Sequence, residues 1–164
     1  MDSAEIFFQV SRGEAPSHRP PVVLVHGYGM SSRYMVPLAL ELAPDFRVYA
    51  PDLPGFGRSS KPRKVLDMVE LADALAGWMA RIGLRRAVMI GNSMGCQVLV
   101  EFAVRHEDWV DRLVLQGLTP DPAARTVFAS RSGDSWSTVV TKDRGRSRAS
   151  YCAITPPPAR ADYS

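Results

Sequence analysis

Two kinds of apolar run alternate along the first 120 residues. Val22-Val23-Leu24-Val25 is four apolar residues in succession, closed by His26-Gly27-Tyr28-Gly29. An unbroken β-branched run ended by glycines is the pattern of a strand buried on both faces. Met35, Leu38 and Leu42 then recur at helical spacing behind Ser31 or Ser32 as cap, and Pro44 stops that helix. Phe46–Ala50 is strand-like again and runs into a Pro- and Gly-dense loop, residues 51–59. Leu66, Val69, Ala72, Leu75, Met79 and Ile82 mark one face of a helix predicted over Val65–Ile82, with Gly83 as its stop. Arg86–Ile90 predicts a strand, and Val98, Phe102 and Val104 a helix ending near His106. Arg112–Gln116 predicts a further buried strand, and Glu5–Val10 a short one at the start.

Strands and helices that alternate at short spacing imply crossover units. The expected fold class is α/β, a mainly parallel sheet with helices on both faces. This pattern occupies residues 1–120. From Asp121 to Ser164 only Thr126–Ala129 shows any periodicity, and Pro156-Pro157-Pro158 excludes regular structure locally. With little apolar surface to offset ordering entropy, residues 121–164 are expected to be a disordered tail.

The net charge of +3 changes meaning once it is located. Residues 1–120 hold 13 Lys/Arg and 13 Asp/Glu, whereas residues 121–164 hold seven basic and four acidic residues. The excess belongs to the tail, which has no docking motif, so nucleic acid is not an expected partner. No apolar run reaches the roughly 18 residues that a bilayer span needs, and the acidic start Met1–Glu5 is unlike a secretory signal. A cytoplasmic protein without membrane attachment is expected. Cys96 and Cys152 match no disulfide or metal spacing, and neither a metal nor a cofactor is expected.

Candidate chemistry sits at two of the strand ends. Gly91-Asn92-Ser93-Met94-Gly95 fits Gly-x-Ser-x-Gly between a strand and a helix. A sharp turn there strains the central residue, and the close backbones need glycine at Gly91 and Gly95. The Ser93 hydroxyl is thereby lifted above the sheet at a helix N-terminus, where a developing negative charge is favoured. Beside it, the His26-Gly27 turn can aim the N–H of Tyr28 at an acyl oxyanion, with the N–H of Met94 as second donor.

Three motifs in order, Val22–Gly29, Ala50–Ser59 and Gly91–Gly95, resemble the α/β-hydrolase superfamily, in its lid-bearing, small-substrate branch. The resemblance covers about residues 5–120, the N-terminal half of that fold, with the later strands missing. It implies Ser93 as nucleophile and Tyr28 and Met94 as oxyanion donors. It also implies a small hydrophobic ester, thioester or activated carbon–carbon substrate. Serine at this position argues against haloalkane dehalogenases and epoxide hydrolases, which use aspartate. Asp52 fits a loop-ordering role better than that of triad acid.

A serine nucleophile needs a histidine base and a carboxylate to orient it. The only histidine after Ser93 is His106. It stands thirteen residues on, at the far end of the helix that starts at Ser93, roughly 20 Å away at 1.5 Å per residue. His26 and His18 read as structural. Asp121 is where some relatives place the acid, and here it has no histidine partner. The chain alone is therefore expected to be inactive. A binding protein that keeps the fold, and an acyltransferase or perhydrolase on the same site, remain as alternatives. The composition shift after Ala124 favours a changed reading frame over simple truncation. Back-translated with GC-rich codons and shifted by one base, Tyr151–Arg160 can read as an amphipathic helical string. Arg112–Gln116 would then be an exposed apolar edge, open to self-association.

Overall fold

The computed structural model describes residues 5–11, 18–117, 137–141 and 150–154. Its strands are β1 (Phe8–Val10), β2 (Val22–Val25), β3 (Val48–Pro51), β4 (Ala87–Asn92), β5 (Val110–Gln116), β6 (Ser137–Thr141) and β7 (Ser150–Ile154). Three α-helices lie between them: α1 (Val36–Leu42), α2 (Met68–Arg81) and α3 (Met94–Arg105). The sheet order is β1-β3-β2-β4-β5-β6-β7. β3, β2, β4 and β5 run parallel, and β1 lies antiparallel on β3.

Alternation along β2 shows why its four residues are all apolar. Val23 and Val25 pack with Leu75 and Met79 of α2 and Val98 and Phe102 of α3 on one face of the sheet. Val22 and Leu24 pack with Met35 and with Leu38 and Leu42 of α1 on the other. Every residue of β2 is buried, as two covered faces require.

Several boundaries differ from the periodicity. α2 begins at Met68, and Val65 is 96% exposed. The physical reason is a capping box. The Asp67 carboxylate accepts from the Glu70 N–H, and the Glu70 carboxylate accepts from the Asp67 N–H. Val104 faces solvent, off the buried stripe of α3 that ends at Phe102. A 3-10 turn, Ser32–Met35, precedes α1, and its Ser31 makes no side-chain cap.

The tail reading is corrected at two places. Ser137–Thr141 and Ser150–Ile154 are strands, and residues 118–136, 142–149 and 155–164, with Thr126–Ala129, Asp121 and the triple proline, lie outside the described residues. β6 pairs antiparallel with β5 from Arg112↔Thr141 to Gln116↔Ser137, and β7 pairs with β6. The Arg112–Gln116 strand is thus paired with β6 along its length instead of standing as the free edge that the sequence suggested. Unpaired N–H and C=O groups on β5 favour any extended segment within reach, and the Thr138–Val140 run is β-prone enough to supply one.

Candidate active site

Ser93 closes β4 and opens α3 with φ 51° and ψ −117°, and is the one non-glycine residue with positive φ among those described. The strain follows from how tightly the strand turns into the helix. A Cβ on Gly91 would stand 2.8 Å from the Gly95 carbonyl oxygen. A Cβ on Gly95 would stand 2.4 Å from the Val25 carbonyl oxygen and 2.8 Å from that of His26. Both positions therefore exclude any side chain. The Ser93 N–H donates to the Gln116 carbonyl at 2.9 Å, which ties the turn to the end of β5. Ser93 itself is exposed, and its hydroxyl makes no hydrogen bond among the described residues.

The turn after β2 abuts this residue. A Cβ on Gly27 would lie 3.2 Å from the Ser93 Cβ, so Gly27 lets the two turns close on each other. The next residue, Tyr28, is 79% exposed, and its ring stands edge-on to Phe56 at 5.9 Å. Met94 is the first residue of α3 and its side chain is buried. A residue in the first helical turn has no carbonyl one turn back to receive its N–H. The fold thus brings together Gly27, Gly91, Ser93, Met94 and Gly95, with Tyr28 alongside.

His26 does a different job. It is fully buried, its Nδ1 lies 2.8 Å from the Gly27 carbonyl oxygen, and its Nε2 accepts from the Leu53 N–H at 3.1 Å. Since Nε2 accepts, the proton sits on Nδ1 and both ring nitrogens are occupied. Burial lowers its pKa, against the Gly27 carbonyl and Asp52, which raise it. A neutral ring with both nitrogens engaged is a strut between β2 and the loop after β3.

Asp52 organises that loop, in keeping with the loop-ordering role. Its carboxylate accepts from the Ser32 N–H at 2.5 Å and from the Arg58 N–H at 2.7 Å. Burial pushes this carboxyl up, but the bonds from Arg58 and Ser32 outweigh it and hold the pKa below the ordinary value. The Ser59 hydroxyl donates to the Asp52 carbonyl at 2.6 Å and accepts from the Phe7 N–H at 2.8 Å. Lys61 Nζ caps the same loop, donating to the carbonyls of Phe56, Gly57 and Ser59. The sequence reading missed Ser32, Ser59 and Lys61 in these roles. Only the Asp-x-Pro-Gly-x-Gly-x-Ser spacing could have pointed to Ser59.

His106 ends α3 and is not brought to Ser93. Its ring stands between those of Phe102 and Trp109, at 5.1 and 5.8 Å. Its Nε2 is 3.5 Å from Asp73 Oδ1, longer than a hydrogen bond, while Arg105 binds both Asp73 oxygens at 2.9 Å. His18 is exposed. Cys96 lies under the elbow and donates its thiol to the carbonyls of Gly91 and Gln116 at 3.2 Å. Burial raises that thiol to about 11, so it stays protonated. A cleft of about 400 Å³ opens beside the site between Tyr28, Met94 and the stretch from Pro54 to Leu71.

A family model described as the alpha/beta hydrolase fold matches residues 20–138. A haloalkane dehalogenase of Mycobacterium marinum is 34% identical over 122 residues, which cover 71% of this chain and 40% of that protein. A pimeloyl-[acyl-carrier protein] methyl ester esterase of Vibrio atlanticus is 36% identical over 105 residues, 64% of this chain and 39% of the relative. Among solved structures, a thermophilic esterase from Thermogutta terrifontis superposes with a TM-score of 0.64 at 33% identity. That match covers 74% of this chain and 44% of the esterase. The chain spans 31–40% of the length of the first curated relatives it matches. No helix among the described residues is long and apolar enough to cross a membrane.

Proposed function

Because this chain belongs to the α/β-hydrolase family, we propose that it is the nucleophile-bearing part of a serine hydrolase acting on esters or thioesters of small hydrophobic acids. The observation that carries this reading is the strained, exposed Ser93 at the N-terminus of α3. Its Oγ attacks the acyl carbon while a base takes the hydroxyl proton, and the carbonyl oxygen becomes an oxyanion. The N–H groups of Tyr28 and Met94 receive that charge. Collapse expels the alcohol or thiol with the transferred proton, and water then releases the acid from the acyl-serine.

Likeness to a dehalogenase does not change the choice of chemistry. A serine hydroxyl, unlike a carboxylate, is useless as a nucleophile until deprotonated. None of the chain's three histidines suits the role of that base: His26 has both nitrogens engaged, His106 is at the far end of α3, and His18 is exposed. The chain alone is therefore inactive in this reading, which requires a histidine from outside residues 1–164.

The test is chemical rescue. A fluorophosphonate should modify the chain only slowly by itself and faster as imidazole is added. Intact mass and peptide mapping should place the adduct on Ser93, and Ser93→Ala should abolish it. Absence of a Ser93 adduct at any imidazole concentration would defeat the proposal. Imidazole-independent ester turnover at rates usual for this family would defeat the claim of a missing base.

A further inference from the structure

The cleft beside Ser93 has an uneven lining. Its lining combines Tyr28 and Met94, the apolar side chains Phe56, Leu66 and Leu71, and the cations Lys61, Arg63 and Lys64. Two of these cations are occupied. Lys61 Nζ donates to three carbonyls of its own loop, and Lys64 pairs with Glu70. The acids that follow in the chain are occupied too, since Asp67 and Glu70 form the capping box of α2. Arg63 alone of the three has no hydrogen bond, ion pair or ring contact among the described residues.

Resting on the serine-hydrolase reading above, we propose that this cleft takes an acyl ester whose far end carries an anionic group, and that Arg63 receives that group. The apolar residues that share the cleft with Met94 and Arg63 suit a short methylene chain. A guanidinium suits a planar carboxylate, because its forked N–H groups can bind both oxygens at once. Arg63 is thus a specificity-determining residue, with no part in bond making.

The probe pair is monomethyl adipate, with one carboxylate and one ester, and dimethyl adipate, its neutral twin. Protein-observed NMR titration of the full chain at low salt should show the carboxylate form binding about fivefold tighter, the scale of an exposed ion pair. Raised salt should shrink the difference. Arg63→Gln should make the two affinities equal, whereas Arg112→Gln, an exposed charge on β5, should leave the preference intact. Equal affinities in the unaltered chain, a preference that survives Arg63→Gln, or no measurable binding of monomethyl adipate each overturn the proposal. Ser93→Ala should keep the preference. A persistent preference without any Ser93 adduct would therefore sink the serine-hydrolase reading and spare the anion site. An adduct without a preference would do the reverse.

Discussion

The turn at Ser93 and the loop at Asp52 both stand at the ends of parallel strands, yet they are held by opposite means. The Gly91–Gly95 turn has no side-chain wiring of its own. Backbone meets backbone so closely that two glycines are obligatory, and one strained serine results. The loop from Asp52 to Lys61 is wired by side chains: a buried carboxylate, a buried imidazole, a serine and a lysine. The first device fixes the proposed nucleophile without using any polar group that the reaction would need. The second depends on charge and protonation.

That contrast can be broken most severely at Gly95. Gly95→Ala puts a methyl 2.4 Å from the Val25 carbonyl oxygen, and the neighbour is strand backbone that cannot give way. A loss of more than about 4 kcal/mol by denaturant titration is expected. Truncating nearby side chains should not recover it.

Asp52→Ala comes next. It leaves the N–H groups of Ser32 and Arg58 without their acceptor. The expected loss is about 2–3 kcal/mol. Gly57→Ala sharpens the comparison, because its Cβ would lie 2.0 Å from Asp52 Oδ2 and its φ is +49°. Its cost should drop in an Asp52→Ala background, leaving about 1–2 kcal/mol of left-handed backbone strain. Equal costs in both backgrounds would mean that the carboxylate is not what the glycine accommodates.

Acid should separate the two regions again. His26 has a lowered folded pKa, so the unfolded chain takes up a proton first, and stability falls as pH drops below about 6.5. Asp52 also has a lowered folded pKa. Its contribution is present above the ordinary carboxylate value and is lost as pH falls through the folded one. Amide exchange should therefore quicken first over residues 52–59, with His26→Asn removing the upper stage and Asp52→Asn the lower. The Gly91–Gly95 turn holds no titratable group, so exchange there should follow global stability only. Exchange that rises in parallel at both places would erase the distinction.

The smallest effect is expected at Gly77, within α2, where an added Cβ meets nothing within 4 Å. Gly77→Ala should stabilise the chain by about 0.5–1 kcal/mol through helix propensity. With opposite signs for one substitution, Gly77 and Gly95 separate a permissive glycine from an obligatory one in thermal melts.

Local pattern was enough to reveal the α/β alternation, the doubly buried β2 and the place of the serine turn. Each of these is local: an apolar run, a helical stripe and two glycines two residues either side of Ser93 are legible without any partner. It also excluded His106, because a helix has a fixed rise and carries its two ends apart. The start of α2 was legible too, in the Asp67–Glu70 pair, but the apolar stripe beginning at Leu66 masked it.

Other features depend on contacts between distant parts of the chain. Whether His26 is a base or a strut depends on Leu53, 27 residues away, donating to its Nε2. The role of Asp52 depends on Ser32, twenty residues back, and the partner of β5 is a segment beyond Gly117 that showed no periodicity. Hydrogen-bond geometry and edge pairing join residues that lie far apart in the chain. A one-dimensional pattern records which groups are available, and only their packing in space decides which of them meet.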